Sequence, residues 1–541
     1  MKSPPLALCA LLATSSSTAA ADYTATLPEL EEDIRREMSD WNIGGIAVAL
    51  VDDQRVVYAA GFGEAKRDSV FRVGSISKLF NALAVMQQVE AGKLALDAPL
   101  PGDVLPLNPF PGAPAVTLRQ VLCHRSGLQR ESPVGGYFDD SQPGLAATLA
   151  SVRGCVLATR PGEKTRYSNV APSIAGHLAE GASGQSFADY QRDHLLGPLG
   201  MTNSAWNLAC VPRERLVLSH MRVADGGGGW KRRPAPLFDL GTLPAGNLFS
   251  TAEDLARFAS ALLAGGAGLV KPETLDEMWR PQLTQDREGF GLGFSIGKFR
   301  GHRAITHNGA VYGYSSLFVL LPEAKLAAVV LGNEDVVTGR IHHIGDTALS
   351  VLLAAKLGEK APPPAEFPPP EDLARLAGDY ESQSFWAQLE VRGGRLQGEI
   401  SGQPTRFVAA GGLKFTAHSR IDDGALAAFE QDGQGTITGF KYGLVQHFTR
   451  VPANPPALPP EWRAFLGSYG PAFIPLVVSE RHGHLYAMTE NVVDYRLTPM
   501  NRNVCALPPG MYADEQVVFL TDRQGRPHSL NFANMLLRRR K

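Results

Sequence analysis

The sequence lacks an excess of charge of either sign: 52 lysines and arginines face 54 aspartates and glutamates, a formal net charge of -2. That balance removes the electrostatic footprint of a nucleic-acid binder or of a protein drawn to an anionic membrane. The basic clusters Lys231-Arg232-Arg233 and Arg538-Arg539-Arg540-Lys541 are short enough to be solvated surface. Cysteine is scarce, five in 541 residues, and no C-x-x-C occurs, which excludes a zinc ribbon or a thioredoxin-type centre. The 13 histidines contain no H-E-x-x-H, and His342-His343 lie in a helical pattern that suits a surface or an interface. The sequence therefore offers no metal site and calls for no cofactor. No apolar run is long enough to span a bilayer. The first one, in MKSPPLALCALLATSSSTAAAD, follows a single lysine and ends in small residues at Ala19-Ala20-Ala21. It reads as a secretory signal over residues 1–21, so the expected chain is secreted or periplasmic and has no membrane anchor. A lipid anchor at Cys9 is disfavoured because Leu8 is bulky where a small residue is wanted. Cleavage would leave Cys123, Cys155, Cys210 and Cys505, which an oxidising compartment could pair without the fold depending on it.

What is present is length, proline-rich punctuation and a repeat. A chain of this size exceeds one ordinary core and predicts two to four units, at about 100 to 200 residues each. EKAPPPAEFPPP (359–370) and PANPPALPP (452–460) stay extended and read as linkers. The segments they bound, 371–451 and 461–541, resemble each other: Gly378-Asp379-Tyr380 matches Gly467-Ser468-Tyr469, and Gly394-Arg395-Leu396 matches Gly483-His484-Leu485. Runs such as QLEVRGGRLQGEI alternate apolar and polar residues and break at glycine turns, so each copy is predicted to be a small antiparallel β-barrel or sandwich. Residues 22–358 differ. Strand patterns at GIAVALVDD and RVVYAAGFG come first, helical patterns fill the middle, and strands return at GFGLGFSIG, SSLFVLLP and KLAAVVLGN. The expected fold is α+β, an antiparallel sheet flanked by helices with an inserted all-helical subdomain and a cleft between the two.

Ser-x-x-Lys occurs twice, at Ser75-Ile76-Ser77-Lys78 and at Ser295-Ile296-Gly297-Lys298. The second lies in a strand pattern, where residues three apart face opposite ways. In the first, a helix start brings positions three apart to within about 5–6 Å at Cβ, so Lys78 can reach Ser75. A serine hydroxyl is a weak nucleophile that needs a base, and a lysine kept neutral by burial can serve. The same serine could instead only cap its helix. Three further stretches bear on the choice. Arg166-Tyr167-Ser168-Asn169 offers a phenol for proton transfer and an amide for a substrate carbonyl. His307-Asn308-Gly309-Ala310 precedes a strand, and Gly309 would let a substrate backbone lie close. His124-Arg125-Ser126-Gly127-Leu128 closes a short helix.

In order and spacing, Ser75-x-x-Lys78, Tyr167-x-Asn169 and His307-x-Gly309 resemble the penicillin-recognising serine hydrolases, the superfamily of class C β-lactamases, DD-peptidases, D-aminopeptidases and related esterases, over about residues 27 to 356. The resemblance implies Ser75 as the acylated nucleophile, Lys78 and Tyr167 sharing acid and base work, and His307 supporting proton transfer. It implies Asn169 for the substrate amide and the backbone N–H groups of Ser75 and Ala310 as the oxyanion hole. PAGNLFSTAEDLARF is a further landmark, read as largely structural, with Ser250 and Glu253 as a capping box. Histidine and Asn308 replace the lysine and threonine of the family's K-T-G, which argues against a dedicated β-lactamase. The architecture is most like that of three-domain D-aminopeptidases, in which a loop from the last barrel narrows the cleft; 499–514 is the candidate here. The expectation is an exported serine hydrolase that forms an acyl-enzyme on Ser75, a D-aminopeptidase or related D-amino-acid peptidase or amidase, acting on a small peptide, amide or ester. The alternatives are a carboxylesterase with weak β-lactamase activity and a non-catalytic protein that binds cell-wall peptides.

Overall fold

Every residue of the strand Gly45–Asp52 is buried, because its two faces feed two different cores. Ile46, Val48 and Leu50 pack with Leu30, Ile34, Ile344 and Leu349 of the helices Leu27–Trp41 and Thr338–Leu357. Ala47, Ala49 and Val51 face Leu255, Phe258 and Leu262 of the helix Ala252–Leu263. At about 1.5–3 kcal/mol for each large apolar side chain buried, this two-sided packing makes the strand the fixed base of the molecule. The computed structural model describes residues 21–540 apart from 225–229, 363–364 and 491, so all but Ala21 of the expected leader lies outside the described residues.

Seven antiparallel strands form the main sheet, in spatial order Arg55–Gly63, Gly45–Asp52, Leu326–Gly332, Tyr314–Leu321, His302–Val311, Ser295–Phe299 and Gly289–Phe290. Strands from both ends of this region pair across its middle, as where Val48 opposes Val330. The chain between them supplies the helices Ser77–Glu90 and Val170–Ser183, tied by Asn81, whose side-chain amide donates to the Pro172 carbonyl at 2.8 Å. Among the described residues no helix is long and apolar enough to cross a membrane, and the four cysteines are unpaired.

Two local expectations need correction. Ser250 does not cap the helix Ala252–Leu263; Thr251 does, accepting the Asp254 backbone N–H at 3.1 Å. Ser250 meets Ser204 and Glu253 pairs with Arg67, so neither belongs to a capping box. Ser75 also caps nothing. It sits in a tight turn, Gly74–Ile76, before the helix Ser77–Glu90, whose N-cap makes no side-chain hydrogen bond.

Past the sheet, eight strands from Gly378–Glu381 to Gln446–Arg450 close a barrel with its own apolar core. The second copy has nine strands in a four-stranded and a five-stranded sheet, parted between Arg496 and Thr498 and joined by a bridge from Tyr469 to Arg539. The repeat is visible as one device used twice. Tyr380 donates to the Leu376 carbonyl at 2.8 Å beneath the Arg450 guanidinium, and Tyr469 donates to Phe465 at 2.8 Å beneath Arg539. Each arginine also binds a carbonyl just before the glycine that starts the first strand, Ala377 in one copy and Leu466 in the other.

The copies attach differently. The apolar core of the second is continuous with that of the sheet and helices, through Phe473 against Phe238 and Tyr312 and through Phe532 against Phe138. The first barrel is held at a polar junction, where Arg420 binds the Trp41 carbonyl and Arg340 pairs with Asp423.

Candidate active site

Two backbone approaches seat Ser75. The strand His302–Val311 passes the turn so closely that a Cβ at Gly309 would lie 2.0 Å from the Val73 carbonyl oxygen and 2.4 Å from Ser316 Oγ. Gly309 is therefore glycine for the sake of this contact with Val73. Gly74 adopts a positive φ of 53° beside Ala310 N. Ser77, the other serine of the motif, locks the turn by donating to Gly74 O at 2.6 Å and accepting from Leu248 N at 3.0 Å.

Lys78 lies on the first turn of the helix, and its Nζ is 3.0 Å from Ser75 Oγ, 2.8 Å from Asn169 Oδ1 and 2.7 Å from the Ala245 carbonyl. Burial drives its pKa well below the usual lysine value, helped by the nearby Arg130 and opposed by Glu131. A neutral amine has two N–H donors that this geometry needs, for Asn169 and Ala245. Its lone pair is then left facing the Ser75 hydroxyl, the arrangement required of a base.

Tyr167 stands over this group, with Lys78 Nζ 4.9 Å from its ring centroid. Burial pushes the phenol up to about 12, while interactions with Ser75 and Arg130 pull the other way. It holds its proton at neutral pH and can give it away. His307 comes within 6.2 Å of the Tyr167 ring, and its Nδ1 lies 2.6 Å from the Asn308 carbonyl. Burial lowers it to about 4, so it is an uncharged imidazole at neutral pH, and its buried Nε2 has no hydrogen-bond partner among the described residues. His124 stacks on the other side of Tyr167 at 4.4 Å and is likewise kept neutral by burial. The second Ser-x-x-Lys is a strand, as expected, with Lys298 turned to Glu288.

One residue escaped the sequence reading. Glu131 is buried, lines the same cavity as Ser75, Asn169 and Ala310, and accepts from Asn169 Nδ2 at 2.5 Å. Burial raises its carboxyl to about 7, against the pull of Arg130. The cavity is small, about 20 Å³, and Tyr137 and Leu240 complete its walls. A larger one of about 690 Å³ lies between Trp41 and the first barrel, but it contains no nucleophile and none of the motif residues.

The last repeat reaches the edge of the site. Of the segment 499–514, the first part is a hairpin, and only the second part comes near. Ala513 and Glu515 bind Arg166, Asp514 meets Lys164 at 2.8 Å, and Tyr512 stacks on Arg130. Asp33, Glu37 and His343 gather within 4.8 Å of one another as carboxylates and imidazole could around a metal ion, on the opposite side of the sheet. Arg36, Arg340 and Asp423 already satisfy their charges.

A serine beside a buried lysine, a tyrosine and an asparagine, seated on an antiparallel sheet, defines a β-lactamase-like serine hydrolase. The family profile Beta-lactamase matches residues 30–348, and the chain belongs to that family. It is similar to Penicillin-binding protein 4 of Amycolatopsis lactamdurans, 31% identical over 340 residues that cover 58% of this chain and 85% of the relative. Among solved structures, the octameric penicillin-binding protein homologue from Pyrococcus abyssi superposes with a TM-score of 0.56 at 22% identity, covering 87% of this chain and 99% of the other. The D-stereospecific amidohydrolase from Streptomyces sp. gives 0.51 at 22% identity, covering 62% and 99%.

Proposed function

We propose that the chain is an exported hydrolase that carries an acyl group on Ser75 and releases amino-acid residues, with a preference for the D configuration, from small peptides, amides and related esters. Ser75 Oγ attacks the substrate carbonyl while Lys78 Nζ takes its proton. The oxyanion is met by the backbone N–H groups of Ser75 and Ala310, and Tyr167 protonates the departing group. Water then attacks the acyl carbon while Lys78 Nζ takes its proton and passes it to Ser75 Oγ as the acyl–oxygen bond breaks, releasing the acid and restoring the serine. The observation that carries this reading is Glu131, a carboxyl that can ionise near neutral pH inside a cavity shared with the nucleophile. Arg130 Nε stands 3.7 Å from this carboxyl, and a substrate ammonium next to the scissile carbonyl would add a second cation from the cavity side. The fold likeness to a D-stereospecific amidohydrolase supports the same substrate class.

The second reading is a carboxylesterase with weak β-lactamase activity. The uncharged His307, where a cation would bind an antibiotic carboxylate, is the observation in favour of an esterase over a dedicated β-lactamase. Turnover of D-Ala and L-Ala p-nitroanilides, short p-nitrophenyl esters and nitrocefin separates the readings: a D-over-L preference on anilides is expected, and ester turnover alone selects the esterase. Ser75→Ala should abolish turnover and labelling by a fluorophosphonate; labelling that survives refutes the assignment.

A further inference from the structure

Arg130 lies next to Tyr167, its side chain 15% exposed, and has no part in the steps above. Its guanidinium carbon lies 5.5 Å from the centroid of the Tyr167 ring and 5.3 Å from that of Tyr512, a residue of the last repeat. The Tyr512 hydroxyl donates to Glu490 at 2.7 Å, and Arg130 Nε stands 3.8 Å from Glu490 and 3.7 Å from Glu131. Glu515 accepts the Arg130 backbone N–H at 3.0 Å and also pairs with Arg166. Burial works against the Arg130 charge, but Tyr512, Glu131 and Glu490 outweigh it and keep the guanidinium protonated.

Lys78, His124, His307 and Arg130 are the basic side chains set around the Tyr167 ring. Burial shifts the first three toward their uncharged forms. Arg130, whose guanidinium stays protonated, is the cation that groups of the last repeat hold against the Tyr167 ring. We propose that Arg130 is a positioning residue for Tyr167: clamped by Glu490, Tyr512 and Glu515 of the last repeat, it fixes the ring and stabilises the charge the phenol oxygen gains on giving up its proton. The inference rests on Tyr167 as proton donor in the acyl-enzyme reading. In that step the Tyr167 O–H bond breaks, and the proton goes to the leaving nitrogen or oxygen as its bond to the acyl carbon breaks. The phenol is restored by the proton that Lys78 took from Ser75.

The role should matter in proportion to the leaving group's need for a proton. An alkoxide or amine cannot depart without one, whereas p-nitrophenolate can. The test is a series of esters of one acyl group, from p-nitrophenyl to ethyl, turned over by the full chain. For Arg130→Met, kcat on the p-nitrophenyl ester should stay within about threefold, whereas kcat on the ethyl ester should fall by about tenfold or more with KM little changed. Arg130→Lys, which keeps a charge, should recover most of the loss. An equal loss across the series, or a loss confined to KM, overturns the role. If the methionine variant does not fold, Tyr512→Leu loosens the guanidinium without removing it: a steeper leaving-group dependence supports the proposal, and an unchanged one overturns it. Turnover that survives Ser75→Ala defeats the acyl-enzyme reading itself, whereas an unchanged dependence with Ser75 essential defeats only the part given to Arg130.

Discussion

At the scale of single residues, the site works by withholding charge. Burial shifts Lys78, His124 and His307 toward their uncharged forms, which suits Lys78 to accept a proton, and it raises the Glu131 carboxyl to about 7. Glu131→Gln should raise KM for D-Ala p-nitroanilide by about tenfold or more, as loss of a partly buried charge partner does, and leave its N-acetylated counterpart unchanged. Steady-state kinetics on the pair check this; equal effects on both substrates would remove the amine-binding role. In the unmodified protein, preference for the free amine should grow as pH rises through about 7, because only the ionised carboxyl attracts an ammonium. Ser75, Lys78, Tyr167 and Asn169 were legible because each pair is held by local spacing along one turn or one loop. Glu131 and Arg130 were not. LQRESP carries no periodicity, and Glu131 is buried and Arg130 largely covered through contacts from far along the chain, Asn169 on one and Tyr512 on the other.

At the scale of elements, the decisive contact is between a strand and a turn. Gly309→Ala would force Val73 and its turn away from the strand, because the new methyl has 2.0 Å where van der Waals contact needs about twice that. The expected result is a loss of about 1–3 kcal/mol in urea unfolding, together with a fall in kcat that exceeds what the lost stability explains. A variant with normal stability and normal turnover would show that the turn tolerates displacement. The sequence placed the strands and main helices well, since period-two and helical patterns are strong over long runs. It misplaced the start of Ala252–Leu263 by one residue, since Ser250 and Thr251 are both good caps and only the fold shows that Ser250 is taken by Ser204. Gly309 was read correctly as a position of close approach, but which chain approaches is a tertiary fact.

At the scale of the whole molecule, the two repeats are alike in pattern and unlike in attachment. The second shares a core with the sheet and helices, so the two should unfold together; the first barrel, with its own core, should unfold separately in calorimetry. Its junction depends on pH. His343 is raised to about 10 by hydrogen bonds to Asp33 and Asp423, against burial. Its contribution is complete below its ordinary value near 6.5 and fades as pH climbs toward about 10. Asp423 is the opposite case: burial opposes its charge, but hydrogen bonds from His343 and His418 hold it far below 3.8, so its contribution fades only in acid. Glu37 faces the same imidazole, and Asp346, raised to about 6 by burial, is destabilised by Asp423 when ionised. Protection in 423–431, corrected for the base-catalysed intrinsic exchange rate, should therefore be highest in mildly acidic solution and fall above about pH 9, while that in 45–52 stays unchanged. A junction equally protected at pH 6 and pH 10 would refute this.

The clamp on Arg130 also sets a timetable. Glu515 holds the Arg130 backbone from 385 positions further along the chain. During synthesis the serine, the lysine and the tyrosine are all made long before their brace exists. A growing or prematurely ended polypeptide thus carries the full set of reactive groups in an unassembled state. On the role proposed for Arg130, that brace is complete only once the last repeat has folded against it, so proton delivery to poor leaving groups is the last capacity the chain acquires.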